Sequence, residues 1–258
     1  MKNQLLKITL IALLSSLAFA NSELERQCNN GDAGSCLNLG NLYYDGDGVK
    51  QNYKKAREFW SKSCEMGEAG SCNNLGYLYD NGYGVRQNYK KAREFYNKAC
   101  EMGNALGCGA LGSLYQYGLG VRQNYKKAKE FYSKSCEMGY ALGCKNLGGL
   151  YYKGEGVKQD YKKAREFWSK SCEMGEAKGC GALGGLYQHG LGVKQDYKKA
   201  SEFWSKSCEM GYALGCGILG DLYYVMKDYN KAMEFFGKAC DLGEQKGCDA
   251  YKKIKLNP

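Results

Sequence analysis

Apolar positions recur along this chain on two scales. At short range they fall near i, i+3, i+4 and i+7. Cys36, Leu39, Gly40, Leu42 and Tyr43 make one stripe, and Tyr53, Ala56, Phe59, Trp60 and Cys64 make another. That spacing is one face of an α-helix. The second stripe is backed by Lys54, Lys55, Arg57, Glu58 and Lys62, a solvated face. Between the stripes, Asp45-Gly46-Asp47-Gly48 breaks the helix, and Asn52 stands where an N-cap belongs. Gly67 follows the second stripe, as a glycine does just past a helix end. The pattern therefore predicts a helical hairpin.

At long range the hairpin itself repeats. Units run at 33–68, 69–104, 105–140, 141–176 and 177–212. A sixth, 213–244, is shorter, because Tyr224-Val225-Met226-Lys227-Asp228-Tyr229 lacks four residues of the double-glycine loop. Residues 21–32 and 245–258 read as half-repeats that cap the two ends. A repeat of this length is the signature of a stacked helical array, whose core grows along one axis. Gly40 returns as Gly76, Gly112, Gly148, Gly184 and Gly220. A glycine in mid-helix costs about 1 kcal/mol against alanine, so one held at a single register predicts close approach by a neighbouring helix.

The fourteen cysteines lie in pairs eight positions apart. Two linkages suit the hairpin geometry: Cys36 with Cys64 inside a repeat, or Cys64 with Cys72 across the short turn to the next. The chain ends decide between them. Pairing within repeats strands Cys28 and Cys248, whereas pairing across turns uses every cysteine. The expected bridges are Cys28–Cys36, Cys64–Cys72, Cys100–Cys108, Cys136–Cys144, Cys172–Cys180, Cys208–Cys216 and Cys240–Cys248. Zinc ligands sit two to four residues apart and often include histidine. This chain has one histidine and the wrong spacing, so no metal and no other cofactor is expected.

The compartment follows from the first residues. Lys2 and Lys7, the apolar run from Ile8 to Leu17 and the small-x-small site Ala18-Phe19-Ala20 read as a secretory leader, 1–20, with a mature start at Asn21. The run is too short to span a bilayer comfortably, and no other stretch could cross one. Export to the periplasm or beyond the cell would oxidise the cysteines. The formal charge of +10 falls to +8 once Lys2 and Lys7 leave with the leader. The basic residues are interleaved with acids, as in Lys54-Lys55-Ala56-Arg57-Glu58, which argues for solvated helix faces and against nucleic-acid binding. A monomer is expected.

The framework Leu39-Gly40-x-Leu42-Tyr43, Gly46-Asp47-Gly48-Val49, Tyr53-Lys54-Lys55-Ala56 and Phe59 resembles the Sel1-like repeat, a relative of the tetratricopeptide repeat. With a cysteine pair in each repeat and a leader in front, residues 21–256 resemble the Helicobacter cysteine-rich protein family. The resemblance implies an all-α fold, an α/α right-handed superhelical solenoid with one disulfide per repeat. It also implies secretion, contact with host proteins, binding of penicillin-type compounds and slow hydrolysis of β-lactams. The alternative it leaves is a non-enzymatic interaction scaffold acting on cell-wall or host partners.

The residues give the enzymatic reading little help. A serine β-lactamase uses Ser-x-x-Lys, and no serine here has lysine three positions later. Ser61-Lys62-Ser63 places its hydroxyls beside a lysine only in sequence. His189 stands at a loop position held elsewhere by Asp45, Asn81, Tyr117 and Lys153, and reads as an exposed turn residue. Catalytic residues are unknown at this stage. In arrays of this kind the first helices line a concave face. Three registers there vary while the framework hardly changes. From these come the candidate groove residues Asn38, Asn41, Tyr44, Asn74, Tyr77, Asp80, Gln116, Asn146 and Tyr152. Their amides and hydroxyls could hydrogen-bond a peptide, a muropeptide or a β-lactam carboxamide. Tyr43, Phe59 and Trp60 recur almost unchanged and are expected in the core.

Overall fold

A computed structural model describes residues 21–256. The proposed leader and its cleavage site lie outside the described residues. The chain divides into two compact units, 1–124 and 125–258. Every regular element among the described residues is α-helical.

In the first unit, α1 covers residues 21–29. It is followed by α2 (Ala33–Asp45), α3 (Tyr53–Glu65), α4 (Ala69–Asn81), α5 (Tyr89–Glu101) and α6 (Ala105–Tyr117). The second unit holds α7 (Tyr125–Glu137), α8 (Ala141–Lys153), α9 (Tyr161–Glu173), α10 (Ala177–His189), α11 (Tyr197–Glu209), α12 (Ala213–Val225), α13 (Tyr229–Asp241) and α14 (Gln245–Leu256). Inside each unit consecutive helices pack on one another, so each repeat is a hairpin stacked on the next.

Local chemistry sets the helix ends. The Asn52 side chain accepts the backbone N–H groups of Lys54 and Lys55 and so caps α3, and Asp160 does the same for α9 through Lys162 and Lys163. Each first helix from α2 to α10 ends on a left-handed glycine, from Gly46 to Gly190.

The double-glycine loop does more than reverse the chain. Gly84, at φ +64°, lies flat on Tyr53 of the preceding repeat, where an added Cβ would come within 2.5 Å of the Tyr53 Cβ. The same contact joins Gly120 to Tyr89, Gly156 to Tyr125 and Gly192 to Tyr161. Repeat six has no such loop. Lys227 turns the chain instead, at φ +63°, and Tyr197 is left 59% exposed.

Disulfides close the turns between repeats. Cys28–Cys36, Cys64–Cys72 and Cys100–Cys108 join α1 to α2, α3 to α4 and α5 to α6. Cys136–Cys144, Cys172–Cys180, Cys208–Cys216 and Cys240–Cys248 do the same between α7 and α8, α9 and α10, α11 and α12, and α13 and α14. The recurrent serine beside each bridge is structural. Ser63 is buried and donates to the carbonyl of Ala33 at 2.8 Å, and Ser171 and Ser207 donate likewise to Ala141 and Ala177.

The mid-helix glycines seat aromatic side chains. An added Cβ at Gly40 would fall 2.2 Å from the indole of Trp60, and at Gly76 2.5 Å from the ring of Tyr96. Gly148, Gly184 and Gly220 receive Trp168, Trp204 and Phe236 in the same way. The expectation for the three recurrent aromatics holds only for Trp60, which is buried. Tyr43 and Phe59 are half-buried and stack on each other at 5.6 Å and 4°, with Lys55 over the tyrosine face. Their outer surfaces are covered by lysine stems, which is why they recur without being interior.

Candidate functional site

The last turn of α2, the start of α3 and the loop after α4 bring four tyrosines together in the first unit. Tyr44 leans on Trp60 at 5.4 Å and meets Tyr53 at 5.4 Å, Tyr77 at 6.2 Å and Tyr83 at 6.3 Å. Tyr83 stacks on Tyr53 at 5.3 Å and touches Tyr77 at 5.8 Å. These are ordinary tilted, edge and offset distances for aromatic pairs. Tyr77 and Tyr83 form the outer surface, 40% and 36% exposed. Burial, and then the hydrogen bond with Tyr77, raises the Tyr44 phenol above its usual pKa. Tyr83 is raised first by its proximity to Tyr77. The Tyr44 and Tyr83 hydroxyls therefore stay protonated at neutral pH and keep both donor and acceptor capacity.

Asp80 lies one turn beyond Tyr77 on α4. It is half-buried, and its Oδ2 accepts the hydroxyl of Tyr96 at 3.2 Å. Burial pushes its carboxyl up, against the smaller opposing effect of that hydrogen bond. Asn38 is exposed on α2, while Asn41 is half-buried and already engaged. Its Oδ1 accepts the indole N–H of Trp60 at 3.1 Å and the amide of Asn74 at 3.4 Å. The Asn41 oxygen thus buttresses the core aromatic, with Asn74 donating to the same atom. Gln116 is half-buried and its backbone carbonyl accepts Gln123.

The other two candidates belong to the second unit. Asn146 is half-buried on α8, and Tyr152 packs on Trp168 at 5.2 Å and Tyr161 at 5.4 Å. His189 is the exposed last residue of α10. Among the described residues no cluster of histidine, cysteine and carboxylate could hold a metal ion.

Tyr53 and Tyr83 were not among the residues singled out from sequence. Tyr53 reads as a helix-start core residue. Tyr83 occupies the middle of Gly82-Tyr83-Gly84, where other loops carry Asp47, Leu119, Glu155 and Leu191. That substitution was the available signal. A second signal links Asp80 to Tyr96: where the ring under the glycine carries a hydroxyl, the facing residue is an acceptor, whereas Trp60 and Trp168 face Tyr44 and Tyr152.

Trp204 breaks that rule. Trp60 donates to Asn41 and to the carbonyl of Leu37, and Trp168 donates to the carbonyl of Lys145. Trp204 is buried and its N–H has no partner. The residue at the Asn41 register is Gly185, where an added Cβ meets nothing within 4 Å. Gly185→Asn is expected to stabilise the protein by about 1 kcal/mol, and by more than Gly185→Ala, although alanine is the better helix former. Urea denaturation of the three proteins gives the order. Asparagine falling below alanine, as helix propensity alone dictates, would mean that the indole gains no acceptor.

The Sel1 repeat family model matches residues 33–68, 69–104, 105–140, 141–176, 177–212 and 210–244. The chain belongs to the Sel1 repeat family. Several solved structures are similar. One is c5321 of uropathogenic Escherichia coli, described as a protective antigen with an SLR fold. It is 33% identical over 88% of this chain and 50% of its own, with a TM-score of 0.75. This chain thus spans half the length of that antigen. A Sel1 repeat protein from Oxalobacter formigenes is 25% identical over 82% of this chain and 88% of its own, with a TM-score of 0.77. Helicobacter pylori cysteine rich protein B is 36% identical over 54% of this chain and 99% of its own, with a TM-score of 0.43. No curated protein matches. Within this Sel1 chain, no described helix is long and apolar enough to cross a membrane. Its seven bridges suit an oxidising compartment.

Proposed function

We propose that this Sel1 protein is a secreted or periplasmic binding protein that takes extended polypeptide segments on the first-helix face of its repeats. The observation that carries the reading is the tyrosine surface of Tyr44, Tyr53, Tyr77 and Tyr83, with two rings presented outward on a disulfide-braced hairpin pair. The residues that vary between repeats at the facing registers are mostly asparagine, tyrosine, serine, glycine, glutamine and aspartate, with Ala110, Ala182 and Ile218 at the Asn38 register. Evolved binding loops draw on much the same set. Tyrosine gives large contact area at low entropic cost, and small polar residues give adaptable hydrogen bonds. Muropeptides and β-lactams carry the same amide groups and fall within this ligand class.

The arrangement supports binding ahead of hydrolysis. Ser63, Ser171 and Ser207 are buried and engaged with carbonyls, so they do not offer a nucleophile to this surface. Selection from a random peptide library on the oxidised protein tests the reading. Enriched peptides are expected to bind the Tyr77→Ala/Tyr83→Ala variant about tenfold more weakly, since exposed aromatic anchors carry a disproportionate share of binding energy. Circular dichroism checks that the variant keeps the fold, since the same truncations remove the ring contacts with Tyr44 and Tyr53. Equal affinity for the variant would place binding elsewhere. A chromogenic cephalosporin added to the same protein reads any turnover.

A further inference from the structure

Trp204 is out of keeping with the other tryptophans. It is 3% exposed, and no group of the protein accepts its indole N–H. A buried donor without an acceptor costs free energy and calls for an account. In repeat one, Trp60 has two acceptors, the Leu37 carbonyl at 3.3 Å and Asn41 Oδ1 at 3.1 Å. For Trp168 the residue at the Asn41 register is Gly149, yet its N–H still reaches the Lys145 carbonyl at 3.0 Å. Losing the asparagine therefore does not by itself orphan an indole. In repeat five the N–H edge of the ring lies against α10. Of the atoms that an added Cβ at Gly184 would meet, Trp204 Nε1 is the nearest, at 2.4 Å. Gly185, the next residue, is open, since an added Cβ there meets nothing within 4 Å. No close approach within the chain explains this second glycine, which costs helix stability without seating a ring. At the Asn74 register stands Ile218, which packs on the cluster around Trp204 and has no acceptor to offer.

We infer that the open backbone at Gly185 and the Trp204 N–H form a subsite for an amide carbonyl of a bound peptide. The ligand oxygen takes in repeat five the place that Asn41 Oδ1 takes in repeat one. The choice of a peptide rests on the proposed function; the subsite adds which group reads its main chain, and where. An indole N–H only donates, so the ligand must present an acceptor, and an ammonium or an amide N–H does not serve. Glycine lets a ligand's backbone come close to the helix, where a side chain would hold it off. The indole is buried and Ile218 is apolar, so the bond forms at low local dielectric, where it is stronger than in water.

The test uses the oxidised, isotopically labelled protein and N-acetyl-trialanine methylamide, a probe that is little more than an extended main chain, titrated by NMR. The chain has three tryptophans, so three indole N–H signals report, assigned by single Trp→Phe substitutions. The Trp204 signal is expected to move downfield saturably, while those of Trp60 and Trp168, already bonded, hardly move. Gly185→Asn supplies the acceptor from within. Its Trp204 signal should lie downfield before any probe is added, and the probe should bind about fivefold more weakly to a protein that is more stable than the parent. Trp204→Phe should lose a similar factor and still fold, since Phe236 fills the equivalent seat on Gly220. An unmoved Trp204 signal, equal shifts of all three indoles, or unchanged affinity in Gly185→Asn overturns the inference. The peptide-binding reading fails separately, when library peptides ignore the loss of Tyr77 and Tyr83. Library peptides that need those rings but leave the Trp204 indole unmoved would keep the reading and remove this subsite.

Discussion

Gly148→Ala is expected to destabilise the protein by about 2 kcal/mol, while Gly149→Ala, one residue on, stabilises it by up to about 1 kcal/mol. Both glycines are inside α8 and both substitutions bring the same gain in helix propensity. They differ in what the new methyl group meets. At Gly149 it meets nothing within 4 Å; at Gly148 it lands 2.5 Å from the indole of Trp168. An ordinary contact needs a further ångström, and the ring cannot swing freely to give it. Trp168 is buried, carries Tyr152 on its face and donates its N–H to the Lys145 carbonyl at 3.0 Å. Moving the ring strains that bond and loosens Tyr152 as well. Overpacking of this kind costs roughly 1–3 kcal/mol, and the upper end fits a rigid bicyclic neighbour. Urea denaturation followed by tryptophan fluorescence compares the two variants. The same sign for both would show that the glycine register is a matter of propensity and not of packing.

That register could be read from the chain before any fold was known, because a costly residue repeated at one phase demands a reason. The helices and turns were equally open to reading. A 3.6-residue stripe, a left-handed glycine and a capping asparagine are local signals, and each decides its own few residues. The groove was legible only as a set of variable registers. Which members of the set meet depends on rotamers and on neighbours from the next repeat. Asn41 varies like a ligand contact, yet its amide supports Trp60. Tyr83 varies in a loop, yet its ring joins Tyr53 and Tyr77. The shortened sixth loop shows the same limit. Its four missing residues suggest a change confined to one hairpin, whereas the uncovered side chain is Tyr197, at the start of the second helix of repeat five. Contacts between repeats carry information that a single repeat does not display.

Removing one bridge, as in Cys64→Ala/Cys72→Ala, is expected to cost about 2.5 kcal/mol in chain entropy, with a further loss from the space its buried sulfurs vacate. That is a large share of the roughly 5–15 kcal/mol that holds an ordinary domain together. Backbone bonds already shape the native turn, with Glu68 N–H on the Ser63 carbonyl at 3.0 Å and Met66 N–H on the Lys62 carbonyl at 3.1 Å. The bridge therefore acts mainly by restricting the unfolded chain. The bridges are not equally accessible. Cys36, Cys72, Cys144 and Cys180 are fully buried, and Met102, Met174 and Met210 lie against the sulfurs of the last three at 3.7–3.9 Å. Cys240 and Cys248 are only half-buried. Exchange needs a thiolate to reach a sulfur along the bond axis, so access governs the order at fixed pH. Limited reductant under native conditions should open Cys240–Cys248 first. The six remaining bridges should follow only once neighbouring helices separate. Alkylation at timed intervals and peptide mapping give the sequence of opening. Simultaneous loss of all seven would instead mean that reduction waits on cooperative unfolding of the stack.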